Sequence, residues 1–176
     1  MSEMKTDMTE AMHAALLRLL DEEAIKKVHL RYCRGIDRRD WELLRSCYHP
    51  DAVDDHGDYV GGVDGFIAFC ESGTLNFTST THLTCNQFVD VDGDVAWTEF
   101  YGRAYHRMPA DAQGVEKDFA VNTRWVDRFE RRQGEWRIAK RTVIVDTDRV
   151  DPISERWVPQ EQYRGRRDRG DPSYER

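Results

Sequence analysis

Histidine is the side chain whose charge changes most readily near neutral pH, and His82 lies in a threonine-rich run, TTHLTCNQF, that favours extended backbone. Strand alternation would put His82, Thr84 and Asn86 on one face, grouping an imidazole, a hydroxyl and an amide. Such a group can move a proton, although a histidine among strand threonines is more commonly structural or surface-exposed. Asp37 follows RYCRGI, just past a glycine expected to end a helix, where an aspartate commonly serves as a turn or cap residue.

A second cluster, His49, Asp51, Asp54, Asp55, His56 and Asp58, superficially resembles a histidine and carboxylate metal site. It straddles Pro50 in a polar stretch, and a solvated loop with capping aspartates accounts for it without a metal. The chain contains no glycine-rich phosphate loop, nucleophile elbow or zinc-ligand spacing. Cys33, Cys47, Cys70 and Cys85 are widely separated, without a CxxC pair, and read as reduced thiols.

The elements that would carry these residues fall into two regions. Residues 8 to 20 have helical apolar spacing, and Asp21 offers an N-cap for a second helix running to about Gly35. A short helix from Asp40 should stop before Pro50, and the polar loop after it should hold one short strand near Val53. Another helix is expected over VDGFIAFCESGTL. Four long strands follow, at about 77–91, 94–108, 116–131 and 135–148, with Asp92-Gly93-Asp94 and Gln133-Gly134 as hairpin turns. The looser connection PADAQGVE could form a pocket lid. In the second strand, alternation separates Trp97, Tyr101 and Tyr105 from Ala96, Phe100 and His106 without deciding which set faces inward.

Helices followed by an antiparallel meander define an α+β fold, here one domain over 1–149 with an extended C-terminal arm over 150–176. At 176 residues the chain has room for one sizeable core. Its net charge of -7 opposes nucleic acid as a main partner, and the basic stretch RGRRDRG, close to acidic residues, reads as a solvated or subunit-clasping tail. No apolar run approaches the roughly 20 residues of a membrane span, and the polar start does not resemble a secretory signal. A cytoplasmic protein is expected.

The helix ending RYCRGIDRRDW, the YHPDAV segment, the hairpin TTHLTCNQFVDVDGDVAW and the closing WVDRFERRQGEWRIAKRTV together resemble the SnoaL-like branch of the nuclear transport factor 2-like superfamily. The resemblance covers about residues 18–148 and implies a cone-like curved sheet with N-terminal helices on its concave face. Asp37 and His82 match in placement the Asp and His of scytalone dehydratase, hexachlorocyclohexane dehydrochlorinase and bile acid 7α-dehydratase. Tyr32 resembles the tyrosine of the last. The resemblance implies His82 as a base oriented by Asp37, Tyr32 as donor and Arg141 as a substrate-binding group; Asn86, Tyr101 and Tyr48 are further candidate polar groups of the pocket.

It further implies a cofactor-independent lyase or isomerase, foremost a dehydratase acting on a hydrophobic cyclic substrate such as a steroid, polyketide or aromatic-pathway compound. No metal is implied, and a homo-oligomer, trimer before dimer, is. The same fold also serves non-catalytic assembly modules, such as the small subunit of ring-hydroxylating dioxygenases, and SnoaL-type polyketide cyclases. Fold alone does not choose among them.

Overall fold

The computed structural model describes residues 2–72, 76–155 and 157–175, with side chains from Met8 onward. Its first element, α1 (Ser2–Arg38), is a single helix, where the sequence suggests two. The reason is tertiary. Asp21 caps nothing; its Oδ1 accepts from Arg131 Nη1 at 2.7 Å and from Trp136 Nε1 at 2.8 Å, which ties the middle of the helix to the sheet. Beyond that tie the helix buries Ile25, Val28, Tyr32 and Cys33, whereas Met12, Leu16 and Leu20 before it stay exposed.

Gly35 does not end α1. A Cβ there would lie 3.0 Å from the backbone N of Leu44, so the glycine admits the close approach of α2 (Trp41–Ser46). Termination falls to Arg39, whose φ of 50° is left-handed, with Asp40 N–H donating to the Gly35 carbonyl. Asp37 therefore occupies the last turn of α1, one step earlier than expected. Asp40 caps α2 by accepting the Leu43 N–H at 3.2 Å.

The chain then enters a strand directly. β1 (Tyr48–Asp55) is eight residues long, and the expected polar loop is largely this strand. It pairs in parallel with the last strand, Asp54 opposite Arg141, and antiparallel with the short β2 (Val60–Gly61). Alternation turns Ala52 and Asp54 inward and Val53 outward. Helix α3 (Val63–Glu71) buries Phe66 and Ile67.

β3 (Ser79–Asp92), β4 (Val95–Met108), β5 (Lys117–Arg132) and β6 (Glu135–Pro152) form the antiparallel meander. Gly93 and Gly134 take positive φ in its tight turns, as the sequence suggests. The result is an α+β fold whose curved, mixed six-stranded sheet runs β2-β1-β6-β5-β4-β3 without closing into a barrel. Phe100, Trp125, Phe129 and Ile138 line its inner face under α1, while Trp97, Leu83 and Phe88 are exposed on the other. Among the described residues no helix is long and apolar enough to cross a membrane.

After Pro152 the arm folds back on its own chain. Tyr174 donates its hydroxyl to Asp40 at 2.8 Å and receives the Arg34 guanidinium 4.5 Å above its ring.

Candidate active site

Asp37 and His82 meet where the last turn of α1 crosses β3. His82 Nδ1 is 2.7 Å from Asp37 Oδ1, the His82 backbone N–H donates to Oδ2 at 3.0 Å, and the Thr80 hydroxyl donates to Oδ1 at 2.9 Å. Burial pushes the Asp37 carboxyl up, but the hydrogen bonds and charge of His82, with Thr80, reverse this and hold it below the usual carboxylate range. An ionised Asp37 fixes hydrogen on Nδ1 of His82 and leaves Nε2 as the basic nitrogen.

Beside this pair lies a cavity of about 100 Å³. Its apolar walls are Ile36, Trp41, Phe66 and Phe77; His82, Thr80, Tyr32, His56, His106 and Arg167 supply its polar lining. None of residues 109–116, the connection read as a possible lid, lines it; the C-terminal arm reaches it through Arg167. Position 106 also settles the facing of β4: Ala96, Phe100 and Ala104 are buried on the inner face with half-buried His106, and Trp97, Tyr101 and Tyr105 point out. Burial, followed by the neighbouring His82, pushes His106 down to about 4, so its ring is neutral at ordinary pH.

A second histidine and carboxylate pair opens on the same cavity. Asp54, wholly buried, hydrogen-bonds His56 Nδ1 with one oxygen and accepts the Tyr48 hydroxyl with the other. His56 Nε2 stands 3.2 Å from the Tyr32 hydroxyl. Burial raises the Tyr32 phenol well above its ordinary value, so it is a proton donor here and not a phenolate. The reading of residues 49–58 as a solvated loop misses this chain of groups. The signal was present as Ala52-x-Asp54-x-His56, an alternation that puts both polar groups on one strand face. The rest of that cluster disperses: His49 Nε2 bonds the Glu130 carbonyl, Asp51 pairs with Arg132, and Asp55 accepts the Gly57 N–H.

The residues expected to bind substrate divide differently. Arg141 is fully buried, donates to both Asp127 oxygens at 2.8 and 2.6 Å, and lies 3.9 Å from the Tyr32 ring centroid. It supports Tyr32 from behind and does not line the cavity, because a guanidinium so placed needs its carboxylate partner. Tyr48 is also behind the wall, spent on Asp54. Asn86 is exposed at the β3 irregularity between Thr84 and Gln87, which turns it away from the face it would share with His82. Tyr101 lies on the outer face with Arg124 above its ring. Of the expected set, the cavity therefore brings together His82 and Tyr32, with Asp37 behind His82.

A SnoaL-like domain matches residues 17–142, and the chain belongs to this family, within the nuclear transport factor 2-like superfamily. Its fold is similar to that of a type 2 hexachlorocyclohexane dehydrochlorinase (LinA), with TM-score 0.69 and 20% identity over 84% of this chain and 99% of that one. A putative scytalone dehydratase from Novosphingobium aromaticivorans gives 0.65 at 20% identity, over 80% of this chain and 97% of that one. A variant of Rv3472 from Mycobacterium tuberculosis, described as of unknown function, gives 0.63 at 25% identity over 75% of each chain. No curated protein matches the sequence.

Proposed function

We propose that the protein is a cofactor-independent dehydratase of small, largely hydrophobic cyclic compounds, working by general base catalysis at His82. The observation that carries this reading is the 2.7 Å contact between Asp37 and His82 on the wall of an apolar-sided cavity. In the reaction, His82 Nε2 takes a proton from the carbon next to a carbonyl, the C–H electrons become the new C=C bond, and the C–O bond breaks. The departing oxygen takes the Tyr32 proton and leaves as water. A solvent proton relayed through His56 Nε2 then restores the phenol, and Asp37 stabilises the imidazolium formed at His82 until its proton passes to solvent. A positioned base supplies about 10²- to 10⁴-fold in rate, so the donor on the leaving side carries much of the remainder.

The cavity volume narrows the substrate class. About 100 Å³ is nearer to the size that accepts a single small ring than to that of a steroid. The exposed Trp97, Leu83 and Phe88 on the outer sheet face support self-association into a homo-oligomer; sedimentation as a monomer at micromolar concentration would overturn that part.

The test is a mass-spectrometric screen of cyclic hydroxy-ketones and hydroxy-acids for loss of one water, run with His82→Ala in parallel. Conversion by the native chain alone is the expected result. Equal conversion by both would remove the mechanism, and conversion by neither across the panel would favour a binding or assembly role.

A further inference from the structure

Arg167 is an unusual cation for the mouth of an apolar cavity. It comes from the stretch Arg164 to Gly170, in which Arg164 meets Glu161 at 3.3 Å, and Arg169 meets Asp40 at 3.3 Å and Glu42 at 3.6 Å. Arg167 turns to the cavity wall instead. Its Nη1 donates to the Phe77 carbonyl at 2.7 Å and its Nη2 to the Ile36 carbonyl at 3.4 Å, while its buried Nε has no partner. A guanidinium carries five N–H donors, so these two bonds leave most of its capacity unused.

No carboxylate among the described residues forms an ion pair with it. Asp37 is occupied by His82 and Thr80, and Asp54 by His56 and Tyr48. Arg38 and Arg39 add further positive charge nearby, and burial followed by Arg39 lowers the Arg167 guanidinium to about 10, which leaves it charged at neutral pH. Asp37, shared with His82 and Thr80, is the nearest negative charge and makes no direct ion pair with Arg167, and a half-desolvated cation so placed is costly unless something else supplies a paired anion. The arm is also held in register: Asp171 accepts the Arg166 and Ser173 backbone N–H groups, both at 3.0 Å, and pairs with Arg38 at 3.5 Å.

We infer that Arg167 is the anion anchor of this cavity: the ligand carries a carboxylate that pairs with the guanidinium while its ring lies against Ile36, Trp41, Phe66 and Phe77. As a statement about substrate the inference rests on the His82 reading, and it narrows the class to cyclic hydroxy-acids and keto-acids. A planar carboxylate matches the guanidinium fork and the small volume. The C-terminal arm is then part of the binding site, and the acidic chain presents a local positive mouth to its ligand.

The experiment is ligand-observed NMR titration of the full-length protein with cyclohexanecarboxylate and with its neutral isostere cyclohexanecarboxamide. The native chain should prefer the carboxylate. Arg167→Gln should weaken carboxylate binding about 10-fold or more and leave the amide unchanged, and Arg167→Lys should fall between. His82→Ala should keep the carboxylate preference, so failure of the base mechanism and failure of the anchor are read separately. Equal binding of acid and amide by the native chain, no binding of the acid, or an Arg167→Gln titration equal to the native one would each overturn the inference.

Discussion

Asp37 holds His82 by two routes at once, Oδ1 at 2.7 Å from the ring Nδ1 and Oδ2 accepting the backbone N–H of the same residue at 3.0 Å. The second bond belongs to the strand, so the carboxylate fixes the ring relative to β3 as well as its tautomer. Asp37→Asn keeps the shape but supplies only one acceptor oxygen for three donors. It should reduce turnover about 10²-fold or more, with a stability loss of about 1 to 3 kcal/mol. Steady-state kinetics beside a urea melt would check this; turnover unchanged at full folding would contradict it.

Tyr32 and His56 should matter in proportion to how poor the leaving group is. Tyr32→Phe and His56→Gln are expected to slow loss of hydroxide by about 10²-fold, and to slow loss of acetate from the matching ester far less. A rate ratio that is the same for both leaving groups would remove the acid role and leave Tyr32 as packing.

Arg141 makes a stability prediction. Removing its charge strands Asp127, which is fully buried, so Arg141→Met should cost about 3 to 5 kcal/mol. Arg141→Met with Asp127→Leu should recover much of that. Denaturant melts of the three proteins decide the point, and a single variant as stable as the native chain would contradict it.

His106 shares the pH dependence of stability with His29 and His49, which burial also holds below the ordinary histidine value. Its ring is held from the usual 6.5 down to about 4, so between those values the unfolded chain binds a proton that the folded chain refuses. Stability is therefore complete above about pH 6.5, falls as pH drops toward 4, and loses no more from this group below that, for at most about 3 kcal/mol in all. Asp37, held low, adds a loss that begins only in the more acidic carboxylate range. Melts of His106→Phe should show a flatter profile from pH 6.5 to 4; an unchanged slope would contradict the assignment.

The meander was legible because its signals are local: threonine, valine and aromatic density with Gly93 and Gly134 at the turns. The placement of Asp37 and His82 came from family resemblance, since nothing local distinguishes that aspartate from a cap. Asp54 and the neighbouring His56 stayed hidden because β1 is defined by parallel pairing with β6, 87 to 90 residues on, and Asp and Pro are poor strand formers in isolation. The role of Arg141 depends on the β5 and β6 register that puts it opposite Asp127. The unbroken α1 depends on Asp21 finding Arg131 and Trp136, contacts that helical periodicity does not contain.

The central claim is that Nε2 of His82 removes a carbon-bound proton, and that step can be isolated from the elimination. A cyclic keto-acid lacking the leaving hydroxyl, incubated in deuterium oxide and followed by mass spectrometry, reports exchange at the carbon beside the carbonyl. The native chain and Tyr32→Phe should both incorporate deuterium, and His82→Ala should fall to the buffer rate. Exchange by His82→Ala at the native rate would contradict the account.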